Sequence, residues 1–371
     1  MKIKKSFLYI MMILFLLPLF LTSCIDSQSK ESDKEAPAKE VEKEKYYAVF
    51  TGEEIESDEQ NNNRPFAVML NNHPDALPQA GLADCDILYE YKVEGEYTRY
   101  LAIFQSKFPD VNIGSVRSAR PYFVDTAKEL NAIYCHWGGS PEGYSEIPKI
   151  GVDDLDGIAL EGITYFRNKE VNKKRPHDGY TTFANLKEAA EKKNFTLSSE
   201  NEFFKFDHTD DKEELNKMES IEVPSVTLNF FKHYKEEIMY NPKTDKYVIV
   251  RNGENIIDEN SKEDFTPSNI IISYANSKVT GANGTLTIYN IGEGSGLLLT
   301  NGKLVEINWS KPDASSRTIY TQKDGSEIYL NPGQTLIATI DDNEGSVVYE
   351  NPEENAESSN ANNANSTNNA K

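Results

Sequence analysis

Apolar residues recur along this chain in three rhythms, and each predicts a different element. Residues 7–21 are almost continuously apolar, interrupted only by Pro18. Short β-branched and aromatic runs at 66–70, 87–93 and 100–104 read as strands. Phe123, Ala127 and Leu130 recur at helical spacing behind Pro121, which suits a first helical turn, so the pattern predicts a helix over 121–130 with Ser118 as its cap. A second helix is expected over 182–193. Beyond residue 222 the rhythm becomes a meander of short strands. Asn301-Gly302 and Asp324-Gly325 are hairpin turns, and Asn331, Pro332 and Gly333 lead into a last apolar strand at 335–340. The Gly-rich run 292–296 is flanked by strand-like sequence and opens no helix, so it reads as a hairpin turn rather than a phosphate loop. The predicted class is α+β: a mixed αβ domain over 61–204, a polar acid-rich linker over 205–222, and a β-rich small barrel or sandwich over 223–345.

The ends of the chain follow another logic. Lys2, Lys4 and Lys5 precede the apolar run, which is short for a spanning helix and has the flanks of a secretory signal over 1–23. It closes on Leu21, Thr22, Ser23 and Cys24, resembling the bacterial lipobox, whose cysteine takes a diacylglycerol before cleavage. Residues 24–60 interleave Lys and Glu and read as a solvated tether; 346–371, rich in Asn, Ala and Ser, read as a disordered tail. The expected location is the extracytoplasmic face of the cell membrane, held to the bilayer through acylated Cys24.

Charge narrows the partners. The whole chain carries −21; removing Lys2, Lys4 and Lys5 with the signal leaves 36 basic residues against 60 acidic ones, or −24. Such a surface repels phosphate backbones, which excludes nucleic acid, and any anionic ligand requires a local basic pocket. Cys85 and Cys135 could form a disulfide or remain reduced as small buried residues; sequence leaves both open, and their spacing predicts no metal site. No cofactor is implied.

The pocket candidate lies within 114–140. Arg117 and Arg120 bracket Ser118 just before the predicted helix, so two guanidiniums and a helix start could converge on an anion, with Arg99 beside them. The strand at 132–134 then delivers His136, Trp137, Gly138, Gly139 and Ser140, where paired glycines allow close backbone approach. If the site is catalytic, His136 or His177 is the general acid or base, with Glu90 or Asp125 orienting it. Each residue also has a plainer role: the arginines can pair with Glu90, Glu94 or Asp125, and His136 can be a core histidine.

The stretches Arg64-Pro65-Phe66-Ala67-Val68-Met69, Pro78-Gln79-Ala80-Gly81-Leu82, Thr98-Arg99 and Val116-Arg117-Ser118-Ala119-Arg120-Pro121, continued by Pro176-His177 and Asn301-Gly302-Lys303, resemble the YerB family of bacterial lipoproteins over about 61–341. The resemblance implies export and a lipid anchor, and it supplies no site residues. Three functions are carried forward. The first is a binding module for an anionic envelope ligand such as a phosphorylated glycan or lipid intermediate. The second is a hydrolase or transferase acting on phosphodiester or glycosyl bonds, although no Gly-x-Ser-x-Gly or His-Glu-x-x-His motif is present and the five histidines are scattered. The third is an assembly partner for another envelope protein.

Overall fold

The computed structural model describes residues 45–281 and 284–350. The signal, the Cys24 acylation site and most of the expected tether and tail lie outside the described residues. Among the described residues, no helix is long and apolar enough to cross a membrane.

The chain builds a mixed αβ body that is β-rich in its C-terminal half. Its centre is one large sheet with the strand order Ile221–Glu222, Lys303–Lys311, Gly292–Thr300, Asn269–Tyr274, Thr335–Ile340, Ile87–Val93, Tyr97–Phe104, Phe66–Asn71, Ile133–His136 and Asp154–Asp156. Thr335–Ile340 lies parallel to both Asn269–Tyr274 and Ile87–Val93, so one late strand stitches the two halves together. Such non-local pairing leaves no trace in local periodicity.

Alternation along each strand divides the core into two layers. Val68, Leu70, Leu88, Tyr100, Ile270, Leu299 and Leu336 face one side, where they meet the sheet formed by Ser225–Phe231, Tyr234–Asn241, Lys246–Arg251, Glu254–Asn255 and Ser346–Tyr349. Ala67, Met69, Tyr89, Leu101, Ile271 and Ile337 face the other, where they meet helix α1, Pro121–Glu129. Helix α2, Pro141–Ile150, follows and is capped by the Ser140 hydroxyl, which accepts from the Gly143 amide at 3.0 Å. Helices α3, Gly157–Leu160, α4, Phe183–Lys192, and α5, Glu213–Lys217, are the remaining α-helices among the described residues. The β-rich half is thus a sheet-on-sheet layer whose larger sheet continues into the αβ half.

Several local expectations need correction. The stretch 45–60, assigned to the tether, is folded: Tyr46–Tyr47 pairs with Glu54–Ile55, and buried Phe50 meets Phe203 edge-on with ring centroids 5.3 Å apart. Its few apolar residues anchor it despite the surrounding charge. Likewise Ser346–Tyr349, placed in the tail, pairs with Ser225–Phe231. The acidic run assigned to the linker caps a helix instead: the Asp207 carboxylate accepts from the Glu214 and Leu215 amides at 2.7 and 3.0 Å, and Leu215 is buried. The run Gly292–Gly296 is strand rather than turn, because a Cβ on Gly294 would lie 2.5 Å from the Trp309 indole that covers it. The Asn301-Gly302 hairpin is present, with both residues at positive φ (51° and 72°), as a type I′ turn requires.

Candidate anion-binding site

The residues 115–120 cross the sheet between two strand ends and are fixed by backbone bonds on both sides. The Arg117 amide donates to the Met69 carbonyl at 3.0 Å, the Trp137 amide donates to the Arg117 carbonyl at 2.9 Å, and the Ala119 amide donates to the Gly138 carbonyl at 2.9 Å. This crossing sets Arg117 and Arg120 on the same face as Arg99, whose parity on Tyr97–Phe104 places it with the helix-covered layer. The N-cap of α1 is Arg120 and has no side-chain cap; Ser118, the expected cap, donates its hydroxyl to the Trp137 carbonyl at 3.1 Å.

The three arginines form a cluster of like charge that is poorly neutralised. Burial, followed by the charges of Arg120 and Arg117, pushes the Arg99 guanidinium down to about 10. Arg99 donates one bond, to the Ser118 carbonyl at 2.7 Å, while its buried Nε is unpartnered. Arg120 alone has a carboxylate: Glu94 accepts from its Nε and Nη2 at 2.6 and 2.9 Å. Burial opposes the charge of Arg120, but that bidentate contact outweighs it and holds the guanidinium above its ordinary value. Arg117 makes no ion pair and no side-chain hydrogen bond among the described residues, and its Nε is buried and unpartnered. Burial, Arg120 and Arg167 all depress it.

The loop carrying Arg167, Arg175, His177 and Tyr180 supplies a neighbouring wall. Arg167 stacks on Trp137 with its guanidinium carbon 3.9 Å from the ring centroid and pairs with Glu161 and Asp178, both at 3.0 Å. Arg175 stays exposed and reaches Glu161 at 3.4 Å. Burial first, then Arg117 and His73, lower His177 below the usual imidazole range. His177 stacks on His73 at 4.9 Å, and ligating atoms of His73, Asp75 and His177 lie within 4.8 Å of one another, a spacing that a metal ion could use. The bonding disfavours that use. His73 Nδ1 accepts from the Asp75 amide at 3.1 Å. Asn71 Oδ1 accepts from the His73 amide at 3.2 Å, which turns its Nδ2 toward His177 Nδ1 at 2.7 Å. In the arrangement assigned by these contacts, Nδ1 of each ring accepts and Nε2 carries a proton. With Arg117 beside them, they suit an acceptor ligand better than a cation.

Other predicted residues lie elsewhere or are already engaged. His136 is fully buried, with Nδ1 2.8 Å from the Gly138 carbonyl and Nε2 3.2 Å from an Asp154 carboxylate oxygen, so both ring nitrogens are occupied. Burial raises Asp154, yet the bond to His136 prevails and keeps it below the carboxylate range. Gly138 donates its amide to Asp156 at 2.8 Å, Gly139 packs against Tyr144 and Ala119, and Ser140 caps α2. Asp125 sits in α1 and lines a different hollow. Glu90 faces the opposite side of the central sheet, accepting from Thr98 at 2.5 Å and Tyr234 at 3.2 Å. There the Tyr234 hydroxyl lies 3.2 Å from Glu90 and 3.5 Å from Glu236, which gathers the two buried carboxylates around one group. Burial first, then Glu236, raise Glu90 well above the carboxylate range, while burial raises Glu236 against the pull of Arg251. Cys85 and Cys135 are both free and buried, and burial raises both thiols.

Asn71 and His73 were not singled out from the sequence; Glu94 was named only as one of three possible partners for the arginines, and the structure gives it to Arg120. The motif containing Thr98-Arg99 stands only a few residues from Glu94, but pairing Glu94 with Arg120 requires knowing that strand Tyr97–Phe104 runs beneath α1.

The chain belongs to the family described as "Protein of unknown function (DUF3048)", whose N-terminal domain matches residues 50–196 and whose C-terminal domain matches residues 226–337. It is 33% identical over 279 residues to the Bacillus subtilis protein described as "Putative lipoprotein YerB", covering 75% of this chain and 82% of that protein. The crystal structure of YerB protein from Bacillus subtilis superposes with a TM-score of 0.71 at 31% identity, over 82% of this chain and 99% of that one.

Proposed function

We propose that this protein is a lipoprotein anchored through acylated Cys24 on the extracytoplasmic face of the membrane, and that it binds an anionic cell-envelope ligand at Arg99, Arg117 and Arg120. The lipobox-like sequence and the lipoprotein description of the Bacillus relative support the anchor. The observation that carries the binding reading is Arg117, a largely buried guanidinium with no partner among the described residues, set between two further arginines and His177. Clustered buried cations are costly without a counter-charge, and a phosphate-bearing ligand supplies one. His73 and His177 add ring N–H donors beside the arginines. The ligand class is a phosphorylated glycan or lipid intermediate, recognised by a local basic site on an otherwise acidic chain.

The hydrolase or transferase alternative has less support, because His136 has no free nitrogen to offer a substrate. Calorimetric titration of the full chain with inorganic pyrophosphate tests the binding reading. Saturable binding is expected, weakened roughly tenfold or more by Arg117→Ala, as loss of one charge-assisted contact implies. Unchanged affinity when Arg99 and Arg117 are both replaced would refute the site.

A further inference from the structure

A hollow of about 680 Å³ opens where α1, α2 and residues 287–291 meet. Its charged lining comes from two helices: Asp125 of α1, and Glu142, Glu146 and Lys149 of α2. Asp125 is only 8% exposed, its carboxylate has no hydrogen-bond partner among the described residues, and its Oδ1 is fully buried. Glu142 likewise presents a buried, unpartnered Oε2.

The nearby cations are already engaged. Lys149 pairs with Glu146 at 2.9 Å. Lys311, behind α1, pairs with Glu129 at 2.5 Å and reaches the Asp125 backbone carbonyl, not its carboxylate. Pro121, Pro141, Ile288, Tyr289 and Ile291 supply the apolar remainder, with Tyr289 and Ile291 substantially exposed. The hollow therefore combines two carboxylates lacking a cation with an apolar wall.

We propose that this hollow binds a primary ammonium group on an apolar stem, of the diamine or lysine side-chain type, with Asp125 and Glu142 as its counter-ions. A divalent metal ion does not suit the site. Among the described residues, only His73, Asp75 and His177 bring three ligating atoms within 4.8 Å, so Asp125, Glu142 and Glu146 do not close around one ion. The volume also far exceeds an ion, whereas an ammonium on a short alkyl chain can place its charge on the carboxylates and its stem on the proline and isoleucine wall.

The site should also be pH-sensitive. Burial pushes Asp125 up to about 7; Glu146 and Glu129 add to the rise, and Lys311 and Lys149 moderate it. Ammonium binding should therefore strengthen as pH rises from 6 to 8 and Asp125 ionises.

Titration calorimetry of the full chain with cadaverine tests the proposal, with 1-pentanol and calcium as comparison ligands. Saturable cadaverine binding is expected, weakened roughly tenfold or more by Asp125→Asn and by Glu142→Gln, and stronger at pH 8 than at pH 6. Arg117→Ala should leave it unchanged, which separates this site from the anion site. The proposal is overturned by absent saturation, by indifference to both carboxylate substitutions, by 1-pentanol binding equally well, or by calcium competing on equal terms.

Discussion

Replacing Asp125 with asparagine should make the protein more stable in base while leaving it nearly unchanged in acid. Asp125 lies 8% exposed in α1, and burial, the largest influence, lifts its carboxyl from 3.8 to about 7. A carboxyl whose folded value is raised favours the folded state when protonated. Its contribution is thus fully present below the unfolded value and is lost as pH climbs toward the folded one. A gap of about three pH units corresponds to about 4 kcal/mol in total, of which roughly 2–3 kcal/mol falls between pH 5 and pH 8. Asparagine cannot ionise, so the variant avoids this loss. Its amide is as unpartnered as the protonated carboxyl it replaces, so the two proteins are close in stability in acid and the difference appears as pH rises. The measurement is urea denaturation of both proteins at pH 5, 6, 7 and 8, read as the difference between them. Asp86, raised to about 6, and the Glu90–Glu236 pair also titrate, but they do so in both proteins and cancel. Two stability curves that run parallel across this range would show that Asp125 is solvated, and the reasoning would fail.

Two further outcomes follow from buried groups. Arg251→Met should destabilise the fold by roughly 3–5 kcal/mol near pH 7, because Arg251 is the cation facing Glu90 and Glu236 and also bonds Asn72; the loss should shrink in acid, where the pair is protonated, and equal losses at pH 5 and pH 8 in denaturation curves would contradict it. Cys85 and Cys135 should both resist a thiol-alkylating reagent in the native protein and both react after unfolding, since burial raises each thiol; rapid native labelling followed by mass spectrometry would disprove this.

What the sequence could reveal depended on how local the cause was. Helices α1 and α4 were legible because Pro121 and Thr182 mark their starts and the apolar spacing continues behind them. The Asn301-Gly302 turn was legible because its backbone requires those two residues. Folded segments hidden in polar sequence were not. The run beginning at Asp207 looks like a linker until Asp207 is seen accepting two helix amides, and Phe50 looks isolated until Phe203 lies against it.

The site residues divide along the same line. Arg117 and Arg120 were visible as a pair because they are close in sequence and precede a helix; Arg99 was set beside them from the sequence, and strand parity beneath α1 supplies the reason that it faces the same side. Parity also separates Glu90 from them: on one strand face it joins Glu236 around the Tyr234 hydroxyl, while the other face carries the arginines. Sequence supplies the charges but not the face, and in this fold the face decides whether a carboxylate quenches the arginine cluster. Glu94 does so for Arg120, and no carboxylate does so for Arg117 among the described residues. That unequal neutralisation gives the site its capacity for an anion. Adding a carboxylate beside Arg117 would remove it, even with every arginine retained.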